Sequence, residues 1–122
     1  MTEAANPPPT GTVWLVEDVG GGGIIDSSHI SLFLDGKGRV NGSGGCNRYM
    51  GQYRLSGERL SFDQIGGTRM ACAPALMLQE QRFLKALAEV STWRIEPTGA
   101  LILTGSGGAS LRLFPEEPTH KE

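Results

Sequence analysis

Gly42-Ser43-Gly44-Gly45-Cys46-Asn47-Arg48-Tyr49-Met50-Gly51 is the stretch around which the rest of this chain is arranged. Four of its ten residues are glycine, which permits positive φ and close backbone approach at an entropic cost. Asn47 tolerates the left-handed conformation and can close a turn with its own side chain. Cys46 is one of two cysteines. The other, Cys72, lies in Thr68-Arg69-Met70-Ala71-Cys72-Ala73-Pro74, just ahead of the strongest helical pattern. A sharp turn at one cysteine and a helix start at the other make the two read as a pair.

That helical pattern begins at Pro74, whose missing N–H suits a first turn. From there to about Val90 the chain carries no glycine and no further proline. Leu76, Met77, Glu80, Phe83, Leu84, Leu87 and Val90 recur with helical period, Glu80 being the one polar member. Gln79, Gln81, Arg82, Lys85 and Glu89 are expected on the wet side.

Everything else reads as short strands. Residues 12–18 are rich in β-formers, and Gly20–Gly23 breaks them off. That glycine run lacks the helix and Lys-Ser/Thr pair of a phosphate loop. Residues 29–34 and 39–43 flank Asp35-Gly36-Lys37-Gly38, a hairpin signal. Residues 51–55 and 59–62 flank Ser56-Gly57-Glu58, and residues 65–73 read as irregular or as one further strand. After the helix come 92–96, 100–104 and 109–114, each bounded by turn residues. Seven or eight strands with short connections imply antiparallel pairing. The expected fold is mostly β (α+β): a strongly curved antiparallel sheet or partly open barrel with one packed helix. Its expected core is Trp14, Leu32, Leu34, Tyr53, Leu60, Phe62, Phe83, Leu87, Trp93, Leu101, Leu103, Leu111 and Leu113.

At 122 residues the chain makes one domain and can bury roughly two-thirds of its unfolded surface. The expected organisation is a disordered Pro-rich tail at 1–11, a domain at 12–114 and a charged tail at 115–122. Pro7-Pro8-Pro9 favours an extended segment that could tether the domain to a membrane. Formal net charge is −2 with both signs scattered, so no basic stripe offers itself to nucleic acid. No apolar run nears the ~18 residues of a membrane span, and Met1–Pro7 lacks the pattern of a secretory signal.

The order of motifs resembles the META domain (HslJ-like) family. A Trp14-Leu15 strand, Gly44-Gly45-Cys46-Asn47 with Gly51-Gln52-Tyr53, Thr68-Arg69-Met70-Ala71-Cys72, Glu80, Phe83-Leu84, Leu87 and Trp93 follow the family sequence over about residues 12–114. The resemblance implies a small mostly-β domain of the bacterial cell envelope or periplasm, often exported or lipid-anchored. It also implies association with heat stress, novobiocin resistance, motility or virulence, with no defined molecular activity. A related fold in secretion pilot proteins binds lipid. With no export signal visible, the sequence leaves a cytoplasmic location open.

Each candidate site has a plain structural reading beside it. Cys46 and Cys72 could form a disulfide or remain two buried thiols, with Cα atoms expected within about 7 Å if bridged. Two cysteines without a nearby histidine pair are a poor zinc set, and no metal or cofactor is expected. His120 falls in the tail, and His29 has no motif to make a catalytic pair with Cys46. Asn47, Arg48 and Arg69 are expected to satisfy backbone, Asn47 as the turn's own capping residue. Glu80 is expected to bond backbone N–H groups or an arginine, Arg48 or Arg69. Trp14 and Trp93 are expected in the core. Gly44, Gly45, Asn47, Arg48, Gly51, Thr68 and Met70 form the structural motif; Met70, Met77 and Phe83 could line a slot for an acyl chain. The resulting expectation is a non-catalytic envelope domain acting through a protein partner or a structural role. The alternative is a module binding a lipid or other hydrophobic ligand.

Overall fold

A computed structural model describes residues 8–25 and 28–116. Eight strands form a closed, entirely antiparallel barrel in chain order: β1 (Val13–Val19), β2 (Ser31–Leu34), β3 (Arg39–Ser43), β4 (Arg48–Ser56), β5 (Arg59–Gly67), β6 (Val90–Ile95), β7 (Leu101–Gly105) and β8 (Ser110–Pro115). Pairing of β1 with β8, Val16 opposite Leu113, closes the ring. The helix α1 (Pro74–Glu89) is inserted between β5 and β6. No helix among the described residues is long and apolar enough to cross a membrane.

Buried residues alternate along β1, β3, β4, the first half of β5 and β8, as a small barrel requires, whereas β7 buries Leu101, Ile102 and Leu103 in succession. All thirteen expected core residues are buried. Leu32, Leu34, Leu60, Phe83, Leu87, Leu101, Leu103 and Leu113 are wholly inaccessible, so large side chains fill the interior. Both tryptophans are core residues whose ring N–H groups find carbonyls: Trp14 Nε1 donates to Pro9 at 3.0 Å and Trp93 Nε1 to Gly57 at 2.7 Å.

The two mouths of the barrel are closed differently. At the mouth made by the end of β3 and the start of β4, α1 reaches in with Phe83, Ala86 and Leu87. At the other mouth the segment before β1 packs down. Pro9 is buried, and Gly11 N donates to Leu34 O at 2.9 Å. Residues 8–11 therefore belong to the fold rather than to the expected N-terminal tail. Residues 1–7 and 117–122, the remainder of the two expected tails with His120, lie outside the described residues.

Two strands are longer than expected. β4 starts inside the glycine motif, at Arg48, and β5 runs on to Gly67. The extension includes a β-bulge: Gln64 and Ile65 together oppose Gly51, and Gln64 takes φ 55°. Glycine suits position 51, because a Cβ there would lie 3.0 Å from Asp63 O and 2.5 Å from Ile65 Cδ1. The strand β5 then overhangs its other neighbour, pairing with β6 at Arg59–Thr92 alone.

Candidate functional site

Four segments meet where α1 crosses the barrel mouth: the turn 44–47, the stretch 68–72, the β1–β2 loop and the second turn of the helix. Glu80 organises them. Its side chain points off the apolar stripe into the turn and is nearly buried, at 9% exposed. Oε2 accepts the backbone N–H of Asn47 at 2.6 Å and of Cys46 at 3.3 Å; Oε1 accepts Asn47 Nδ2 at 3.0 Å. A carboxylate is the side chain suited to three N–H donors, being acceptor-only. The backbone alternative expected for Glu80 is the one adopted, and neither arginine is its partner.

Close approach of helix and turn explains the glycines. A Cβ on Gly44 would stand 2.6 Å from Glu80 Oε2, and Gly45 takes φ 106°, a value that disfavours any side chain.

The Asn47 side chain bonds backbone outside its own turn, which corrects the sequence expectation. Its Oδ1 accepts Met70 N at 2.5 Å and Thr68 Oγ1 at 3.0 Å, while Nδ2 donates also to Met70 O at 3.3 Å. It thereby ties β4 to the stretch that precedes the helix. Thr68 completes the tie: its N–H donates to Arg48 O at 3.0 Å and its Oγ1 accepts Arg48 N at 3.2 Å. Alongside runs a disulfide between Cys46 and Cys72, with Cα atoms 6.0 Å apart. Its formation leaves no Cys46 thiol to pair with His29.

Below this network Tyr49 is buried, its hydroxyl donating to Ser31 O at 2.7 Å and its ring meeting Phe83 edge-on at 5.5 Å. Burial pushes its phenol pKa well above the usual value.

Two expectations about the helix are overturned. Phe83 does not line a slot; it is fully inaccessible in the core, because its position faces Tyr49 through the barrel mouth. Gln79 is not on the wet side. It is buried, accepting Ile25 N at 2.7 Å and donating to Ser28 Oγ at 3.1 Å. Its spacing to Phe83, Ala86 and Val90 is the helical repeat of the buried face, a signal its polarity obscured.

Outside the network lies an open groove of about 450 Å³. Ile65, Met70, Met77 and Leu84 give it apolar walls, with Arg48 and Arg69 at its edge. Met70 is 58% exposed and Met77 37%. The expected backbone-satisfying role of Arg48 and Arg69 is not found: among the described residues neither guanidinium has a hydrogen-bond or ion-pair partner. The ion pairs among the described residues lie away from the groove and join Arg94 and Arg112 to Glu17 and Glu96. Among the described residues no cluster of three or more His, Cys, Asp or Glu is placed to hold a metal.

Comparison with solved structures places this arrangement among others. A protein from Burkholderia xenovorans, solved by NMR, is 27% identical, with TM-score 0.75 over 97% of each chain. A second NMR structure is 24% identical, with TM-score 0.64 over 84% of this chain and 87% of that one. A crystal structure of a DUF4847 family protein from Bacteroides vulgatus shares the fold at 15% identity, with TM-score 0.52 over 75% of this chain and 61% of that one. Curated protein sequences yield no match. The META domain pattern matches residues 8–118, the whole barrel and every segment of the network just described. This chain belongs to the META domain family.

Proposed function

We propose that this is a non-catalytic domain of the cell envelope, acting through contact with another protein in a stress-associated setting. The observation that carries the reading is the fate of the motif's chemically capable groups. Both cysteines are joined, and the Glu80 carboxylate accepts three N–H donors from the turn it anchors. Catalysis by acid–base or nucleophile would require these groups to be free to exchange protons or attack. The disulfide also supports an oxidising compartment, as the family resemblance implies.

A second reading is favoured by the exposed methionines. Met70 and Met77 give the groove a soft, adaptable surface of the kind that accepts hydrophobic ligands. The filled interior speaks against an acyl chain beneath the helix, so a lipid would have to lie in the open groove.

The test is a panel of hydrolase substrates — esters, phosphate esters, glycosides and peptides — against the oxidised chain and its Glu80→Gln variant, alongside melting curves with fatty acids. The expected result is no turnover and no rise in Tm. Turnover that Glu80→Gln abolishes refutes the non-catalytic reading, and a saturable rise in Tm with fatty acid favours the lipid reading.

A further inference from the structure

We infer that the overhanging edge of β5, with the methionine-walled groove beside it, is a docking site for an extended peptide segment carrying acidic and apolar residues. This rests on the interaction reading above and names its surface and partner chemistry. The first observation is the incomplete seam of the barrel. β5 pairs with β4 along its whole length, from Ser56–Arg59 to Tyr49–Gly67, yet meets β6 only at Arg59–Thr92. From Ser61 onward its second edge pairs with no strand among the described residues. The helix α1 packs against β5 without pairing with it, a groove separates Ile65 to Gly67 from Met77 and Leu84, and Asp63, Gln64, Gly66 and Gly67 are exposed. Such an edge is a template for strand addition. The bulge at Gln64 interrupts this edge, leaving Ile65 to Gly67 beside the groove, about three residues and roughly 10 Å of strand.

The second observation concerns what flanks that edge. Ile65, Met70, Met77 and Leu84 form apolar walls that would receive alternate side chains of an added strand. The third is charge. Arg48 and Arg69 stand at the groove with no anionic partner among the described residues, whereas its one carboxylate, Glu80, is engaged by the turn. Asp63 marks the far end of the edge. The peptide's acids therefore belong beside the arginines and away from Asp63. A strand's N–H and C=O groups are of use to a peptide and of none to an acyl chain, which decides between the two occupants.

The experiment titrates the isotope-labelled, oxidised chain with fluorescein-tagged capped peptides about eight residues long, alternating leucine with glutamate or with lysine. Anisotropy gives affinity and amide shifts give the location. The glutamate peptide should bind saturably, with shifts on residues 63–71 and along α1, at least about tenfold tighter than the lysine peptide. Arg48→Glu with Arg69→Glu, both at exposed positions, should reverse that order. Methylating alternate backbone nitrogens of the glutamate peptide should abolish binding in one of the two possible phases.

Equal affinity for both charge forms, or indifference to methylation in both phases, overturns the inference. So does saturable binding of dodecanoate at these residues with no binding of either peptide, which would assign the groove to lipid. Peptide shifts confined to the opposite mouth, around Tyr53 and Gly36, overturn this surface while leaving the interaction reading intact. That reading fails separately, through turnover sensitive to Glu80→Gln.

Discussion

Replacing Glu80 by glutamine keeps the shape of the side chain and removes its ability to accept from every direction. In the native chain one oxygen takes the N–H groups of Asn47 and Cys46 and the other takes Asn47 Nδ2. An amide has one oxygen. If it faces the backbone, those two bonds lose their charge assistance, about 1 kcal/mol between them, and the new NH₂ confronts the NH₂ of Asn47. Leaving a nearly buried donor unsatisfied costs about 1–3 kcal/mol. The opposite orientation is worse, since it places the NH₂ against two backbone donors. The expected loss is therefore about 2–4 kcal/mol, a large part of the roughly 5–15 kcal/mol that holds a domain together. Urea unfolding of the oxidised proteins, followed by circular dichroism, should show a lower midpoint at unchanged slope. Asn47→Ala and the double variant complete a cycle whose coupling should exceed about 1 kcal/mol. A loss below about 0.5 kcal/mol, or additive single effects, would refute the claim that Glu80 fastens the helix to the turn.

Thiol titration of the denatured, unreduced chain should find no free cysteine. The Cys46→Ala/Cys72→Ala chain should be less stable by about 3–4 kcal/mol, from a sequence separation of 26 in the chain-entropy account; two free thiols after air oxidation would contradict the bridge. Gly44→Ala should cost about 1–3 kcal/mol, because its Cβ would meet Glu80 Oε2 at 2.6 Å, and the cost should shrink in a Glu80→Ala background. Tyr49 should resist ionisation while folded, since burial raises its pKa. Its contribution is thus intact below the ordinary tyrosine pKa of about 10 and is lost as pH rises beyond it. In a Tyr53→Phe chain the tyrosinate absorbance should rise together with unfolding; a rise with the fold intact would refute the burial argument.

The barrel was legible because its signals are local. Period-two alternation, Asp-Gly and Ser-Gly turns and one amphipathic helix each lie within a dozen residues, and short connections leave antiparallel neighbours as the ready solution. Closure was less so. Whether β1 meets β8 depends on accumulated twist and tilt, and no single residue reports it. The longer β4 and β5 escaped because glycines at 44, 45, 66 and 67 read as strand breakers. In the structure Gly44 and Gly67 sit where strands, helix and turn come too close for side chains, and Gly45 takes a positive φ.

The site was legible in membership and not in wiring. Glu80 declared itself as the polar exception on an apolar stripe, and the two cysteines could be paired because both flank irregular segments. What each polar group bonds to is set by separations of 23 residues for Asn47 and Met70 and 33 for Asn47 and Glu80, which no local pattern encodes. Hence Asn47 read as a turn residue when it is a tie between segments, and Arg48 and Arg69 read as backbone partners when their guanidinium groups have none among the described residues. That last reversal has a physical consequence. Once asparagine, threonine, glutamate and a disulfide satisfy the junction from within, the arginines are left outside it, beside an unpaired strand edge and two exposed methionines. Charge that the fold does not need, placed next to apolar surface that the core does not take, is the feature from which an interaction at this face is argued.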